Sequence, residues 1–210
     1  MKFAEAKVIL EQHAPTLELD ASLFSGGGQE LLARVEAEYS IALSPQVTEY
    51  LAQHIPTQSV EFYDGREGIT LFGSDSVSFW RKGYSYNGRE KVMDEQWVDS
   101  WLIVAEGHHG WAYLVDFTET DEESPVWMWM EGTFMPSTWQ GEEQSIFPVA
   151  SSLPNFLAIL AYQNLWQNEH ESREWFEDKL SELEPEQETR DWWLYLVEGG
   201  KDNGDEEGEE

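Results

Sequence analysis

The sequence predicts an α+β protein whose strands pair antiparallel, and three observations predict it. Apolar residues recur at helical spacing in the first and last thirds of the 210-residue chain. Between Ser59 and Met130, short runs of Val, Ile, Phe, Tyr and Trp alternate with Gly, Asp and Asn, the pattern of strands joined by turns. The connections between those runs are short, and short connections join antiparallel neighbours.

The first helix is expected over Lys2–Gln12, with Phe3, Ala6, Ile9 and Leu10 at helical spacing. "FSGGGQ" interrupts it. The run Gly26, Gly27 and Gly28 reads as a flexible joint. It is not a phosphate loop, because no Gly-Lys-Ser/Thr follows and no strand precedes. From Gln29 the spacing resumes, with Leu31, Leu32, Val35 and Tyr39 on one side. In "LSPQVTEYLAQHIP", Ser44 is a cap and Pro45 suits the first helical position. Val47, Tyr50, Leu51 and Ile55 form the buried stripe, and Pro56 helps to end the helix. His54 stands near that end, where the helix dipole favours a partly positive imidazole; this role outweighs a catalytic one.

Strands are expected at "VEFY" from Val60, "ITLFG" from Ile69, "VSFWR" from Val77, "SWLIVA" from Ser100, "WAYLVDF" from Trp111 and "VWMWM" from Val126. Val60 and Phe62 alternate with Glu61 and Tyr63, as in a half-buried strand. "WLIVA" is continuously apolar, as in a central strand covered on both faces. In "VWMWM", Val126, Met128 and Met130 oppose Trp127 and Trp129, so both faces are apolar. A strand sandwiched between layers explains this better than an exposed Trp/Met binding patch. Asp64-Gly65 and Asn87-Gly88 mark turns.

The last third returns to helix. Ser151 or Ser152 caps a helix whose stripe is Phe156, Leu157, Leu160 and Leu165. "SREWFEDKLSEL" follows, with Trp175, Phe176, Leu180 and Leu183. Pro185 separates it from "TRDWWLYLVEGG", which stops at Gly199 and Gly200. The expected organisation is therefore 1–25, an N-terminal helix with its Gly-rich joint; 26–165, an α+β core; 166–200, a helical extension; and 201–210, a disordered acidic tail.

Composition bounds the function. Asp and Glu number 42 against 12 Lys and Arg, a formal net charge of -30. That field repels nucleic acid and anionic membranes and attracts basic partners; the plainer explanation is solubility for a chain with 11 Trp. There is no cysteine, which excludes disulfides and thiolate chemistry and suits a reducing cytoplasm. "MKFAEAKVILEQHAP" lacks a signal peptide's apolar core, and no apolar run approaches a membrane span. A cytoplasmic protein is expected.

"EGHHG" places His108 and His109 between two expected strands, in a connection of hairpin-loop length. Adjacent residues in extended chain point to opposite sides, and a zinc site needs further ligands. His13, His54 and His170 are distant in sequence, and no H-E-x-x-H exists. A turn that touches a partner explains the pair better than a metal centre. G-x-S-x-G and S-x-x-K are also absent. No catalytic residue, metal or cofactor is called for.

Three stretches carry a family resemblance. "ALSPQVTEYLAQHI" looks like a leucine-proline helix start, "WLIVAEGHHGWAYLVDF" with "SPVWMW" like a central meander, and "VASSLPNFLAIL" like a closing helix. Over Gln29–Gln163 the chain resembles the SUKH superfamily, which holds the fungal Smi/Knr cell-wall regulators and many bacterial immunity proteins. It departs from that pattern in three places. Ser44 stands before Pro45 where leucine is usual, "IPTQS" replaces an Asn-Gly, and the helices after Asn164 lie beyond the common core. The resemblance implies helices packed on one antiparallel sheet of about six strands. It also implies a non-catalytic domain that binds and neutralises a cognate toxin; a regulatory or scaffold adaptor of the Smi/Knr type is the alternative. The acidity agrees, since many toxins that attack nucleic acids are basic at the active site. Loop position and charge select Glu106, His108, His109, Asp121, Glu122 and Glu123 as partner contacts.

Overall fold

The computed structural model describes residues 1–39, 42–62, 68–77, 86–87, 92–93, 100–107, 111–117, 123–129 and 146–198. Its sheet is organised around the most apolar run of the chain. Trp101–Gly107 forms β5, and every side chain from Trp101 to Ala105 is buried. With no polar face to offer water, such a strand must lie in the middle of a covered sheet.

The other strands are β1 (Val60–Phe62), β2 (Ile69–Leu71), β3 (Tyr86–Asn87), β4 (Val92–Met93), β6 (Ala112–Asp116), β7 (Val126–Trp129) and β8 (Ile146–Ala150). Six of them form one antiparallel sheet in the order β1-β2-β5-β6-β7-β8, while β3 and β4 pair separately. A bulge between Ile103 and Ala105 shifts the β5–β6 register. Val126, Met128 and Trp129 are buried and Trp127 is half-buried, so β7 is covered on both faces as its alternation implies.

The helices are α1 (Phe3–His13), α2 (Gly28–Tyr39), α3 (Pro45–Glu49, running into a π turn over Tyr50–His54), α4 (Leu153–Gln167), α5 (Arg173–Leu183) and α6 (Gln187–Glu198). α4 is the central one. Of its 15 residues, only Tyr162, Trp166 and Gln167 are not fully buried, because α1 and α5 pack against it and the sheet lies beneath. Ser152 caps it by accepting the Asn155 N–H. Among the described residues no helix is long and apolar enough to cross a membrane.

Three expectations are corrected. The glycines are docked rather than loose. Gly26 and Gly27 donate to the carbonyls of Ile55 and Leu51 at 3.0 and 2.8 Å, which satisfies the end of the π turn. Gly26 holds φ +82°, and a Cβ there would stand 2.3 Å from the Ala52 carbonyl oxygen. "VSFWR" supplies no strand at its start: Val77 lies in a turn, and Ser78–Arg81 fall outside the described residues. The sixth strand of the sheet is β8, which the sequence reading does not contain; its Pro148 is tolerated because β8 is the last strand. The expected C-terminal helical extension is present, and it packs into the core. Trp192 and Trp193 of α6 are fully buried. Trp193 donates its indole N–H to the Val149 carbonyl at 2.6 Å, and its ring packs with Tyr113 and Phe156. Trp192 meets Trp111 and Phe147.

The remaining expectations on Tyr63, the Asp64-Gly65 turn, Gly88, Met130, Gly199, Gly200 and the tail lie outside the described residues, as does the side chain of Tyr39.

Two substitutions test this packing by urea denaturation. Gly26→Ala should lose about 1–3 kcal/mol, since it combines a left-handed backbone with a collision. Gly28→Ala, at φ +66° with open space around it, should lose less. Trp193→Phe should lose about 1–3 kcal/mol by leaving the Val149 carbonyl without its indole donor.

Candidate functional site

The residues selected from the sequence do not share one place. Glu106 sits half-buried near the end of β5, opposite Ala112 and Thr70. Glu123 is exposed and precedes β7, whose Val126 pairs with Val115 at the other end of β6. The five residues of β6 separate them by about 17 Å at ~3.4 Å per residue. His108, His109, Asp121 and Glu122 lie outside the described residues.

Glu123 belongs to a cleft of about 370 Å³ lined by polar and apolar side chains alike. The first turns of three helices meet there, represented by Phe3 of α1, Pro45 of α3 and Pro154 of α4; Lys2, Glu49 and Glu123 supply the charge. Both prolines stand where a helix has no N–H to give up. The helix ends are capped from within the chain. Ser44 accepts the Val47 N–H at 3.3 Å, and the Glu5 carboxylate accepts the Lys2 N–H at 2.7 Å. Helix N-termini carry partial positive charge, so carboxylates lining this cleft are in a favourable field.

Beneath the cleft lies a buried polar cluster that holds it in shape. Gln46 is 8% exposed. Its side-chain carbonyl accepts from the Ser124 N–H at 2.9 Å and the Leu153 N–H at 3.2 Å, tying α3 to the start of β7 and of α4. The hydroxyls of Ser44 and Ser124 are 3.0 Å apart, and the Ser44 N–H donates to the Phe117 carbonyl at 2.8 Å. Glu123 is thus placed by its neighbour Ser124.

A buried carboxylate extends the cluster. Glu184, 1% exposed, follows α5 and accepts from the Ser151 N–H at 3.0 Å and the Asn155 amide at 3.1 Å. Burial pushes its carboxyl above the usual range, and the hydrogen bonds from Ser151 and Asn155 oppose that rise.

His54 has a different role from the expected one. Its ring stacks on Phe3 at 4.6 Å, and its Nε2 is 3.4 Å from Glu49. Burial lowers its pKa while Glu49 raises it, and the fall prevails. Packing on α1, more than the helix dipole, explains why an imidazole stands there. His13 is also shifted down by burial, against Glu171.

Sequence reasoning missed Lys2, Gln46, Glu49 and Glu184. Only Gln46 left a signal, as a polar residue between a helix-starting proline and the buried Val47. The others belong to the site through contacts between distant segments. Among the described residues, no group of three His, Cys, Asp or Glu could hold a metal ion. The cleft presents charged and hydrogen-bonding groups at the surface.

The antiparallel meander with helices packed on it is the architecture that the family resemblance implies. The model of the SMI1 / KNR4 family (SUKH-1) matches residues 27–159, well over half of the chain, and the chain belongs to that family. No curated protein matches it. The match contains Gln46, Glu49 and all six residues selected from the sequence. It excludes α1, the end of α4, α5 and α6, so the cleft is shared between the family core and helix α1.

Gln46→Ala should cost about 2–6 kcal/mol, because two buried N–H groups lose their acceptor at roughly 1–3 kcal/mol each. A urea titration reads this directly. Glu184 predicts a pH dependence. A carboxyl with a raised folded pKa contributes stability below its unfolded pKa and loses it as pH rises through the folded value. The stability of the wild type relative to Glu184→Gln should therefore be highest below pH ~4.5 and fall as pH increases.

Proposed function

We propose that this chain is a non-catalytic protein-binding domain that neutralises a cognate toxin, acting as an immunity protein in the cytoplasm. Membership of the SUKH-1 family carries this reading. Three features support it. The net charge of -30 suits a partner that is basic at its own working surface, and it would speed association by electrostatic steering. The described cleft presents charged and hydrogen-bonding groups beside Glu123. A chain without cysteine suits a reducing compartment. In this reading residues 26–165 are the binding unit and 166–200 are an addition that buttresses it.

Affinity capture of the tagged protein from its own cells across a salt series tests this. A single tight partner that is basic, toxin-like and released by salt is the expected result. Several weak partners, with binding altered by deleting residues 201–210, would instead support a regulatory adaptor.

The placement of Glu106 and Glu123 sharpens the expectation. Hot spots cluster near the centre of an interface, and two sites about 17 Å apart cannot both occupy it. Alanine replacement of Glu106, His108 and His109 together, and separately of Asp121, Glu122 and Glu123, should give one strong and one weak loss of partner affinity. Equal and negligible losses would remove all six from the interface.

A further inference from the structure

The two free edges of the sheet are treated differently. α6 covers β8, with Trp193 bonded to the Val149 carbonyl. Among the described residues, no helix covers the outer edge of β1 in this way. The Phe72 N–H donates to the Val104 carbonyl at 2.8 Å, so Phe72 and Thr70 turn their backbone groups toward β5. Ile69 and Leu71 then face β1 and bond Phe62 and Val60. By the same alternation, the N–H and C=O of Glu61 point away from the sheet. No hydrogen bond among the described residues uses them.

A polar cleft of about 330 Å³ opens at that edge, lined by Thr16, Glu18, Glu61, Asn164, Asn168 and His170 among others. It lies at the opposite end of the α1–α4 pair from the Glu123 cleft. Phe3 and Pro154 meet at one end, and the turn after α1 meets the last turn of α4 at the other, so the two helices run parallel. Their negative poles therefore converge on the β1 edge. The exposed carboxylates of Glu18, Glu61 and the adjoining Glu169 stand in that field, and none makes an ion pair among the described residues. No Lys or Arg is among the described lining residues. At the Glu123 cleft, acidic side chains meet positive helix ends; here they meet ends of their own sign. Glu18 and Glu169 moreover hold left-handed backbone, φ +54° and +59°, where glutamate is disfavoured.

We propose that this cleft and the open edge of β1 are a docking groove for an extended, basic segment of a protein partner. The segment adds a short strand, exchanging backbone hydrogen bonds with Glu61. A lysine or arginine side chain from it enters the cleft between Glu18 and Glu61, where the exposed Asn168, whose amide nitrogen donates to the buried Asn164 oxygen, supplies an amide oxygen. The class of partner rests on the toxin-binding reading above; the groove itself rests on the edge and the charge.

The test uses the full chain labelled with ¹⁵N and a capped Lys-Val-Arg-Val-Lys peptide, with a Glu-Val-Glu-Val-Glu peptide as control. The basic peptide should shift the amides of Thr16, Glu18, Glu61 and Asn168, and slow hydrogen exchange at Glu61. Glu18→Lys with Glu61→Lys should weaken it about tenfold or more through like-charge repulsion. Glu61→Pro should weaken it beyond Glu61→Gln, because proline removes only the outward N–H and an edge strand tolerates it; melting curves verify that each variant is folded. Shifts scattered over the acidic surface with no Glu61 protection would overturn the proposal. So would equal binding of the acidic peptide, or a folded Glu61→Pro chain that binds like Glu61→Gln. A cognate toxin captured equally well by the charge-reversed chain would sink the groove and leave the neutralisation reading standing. Peptide binding at Glu61 in cells that yield no basic partner would do the reverse.

Discussion

The side-chain carbonyl of Gln46 accepts two backbone N–H groups at once, one from the approach to β7 and one from the first turn of α4. Both donors lie where water has little access, and a buried amide N–H without an acceptor is costly. The closing helix therefore has one place to start relative to the sheet. Glu184 acts on the same turn from the other side through Ser151 and Asn155, and so fixes the junction of α5 and α6. Ser44 completes the set by capping α3 and meeting Ser124. A leucine at that position could make neither contact.

Once α4 is set, the remaining layers follow from burial. Its sides are apolar nearly all round, so it must be enclosed, and α1 and α5 enclose it. These two helices and α6 lie outside the stretch that matches the family, yet they complete its core. The indole rings of Trp192 and Trp193 account for the interlock on the β8 side. They bury large apolar area against Phe147, Tyr113 and Phe156, and one indole N–H satisfies a strand carbonyl.

The parallel alignment of α1 and α4 gives the molecule an electrostatic direction that net charge does not reveal. Acidic side chains near Lys2 and Pro45 sit in a favourable field, whereas those around Glu18 and Glu61 do not. A surface of the same average composition thus holds regions of different appetite for cations. The difference arises from backbone dipoles and not from the count of carboxylates.

Periodicity alone was enough to place α1 to α6, the central strand β5 and its partner β6, because burial on a defined face imposes spacing within a short segment. The SUKH resemblance was equally legible, since the order of elements is written along the chain. β8 was not, for a strand carrying Pro148 at the sheet edge has no local pattern to announce it. The docking of Gly26 was hidden for a similar reason: a glycine required by a close approach looks the same as one in a loose joint. The candidate site divides in the same way. Residue type and loop position could pick out Glu123 and Glu106, but only pairing across β6 shows that they lie at opposite ends. The sequence by itself determined which residues are apolar, where the helices and the central strands begin, and how much negative charge the chain carries, because these are properties of neighbours. The tertiary structure alone decided which carboxylates share a cleft, which helix poles they face and which sheet edge the described residues leave open, because these depend on residues brought together from far apart.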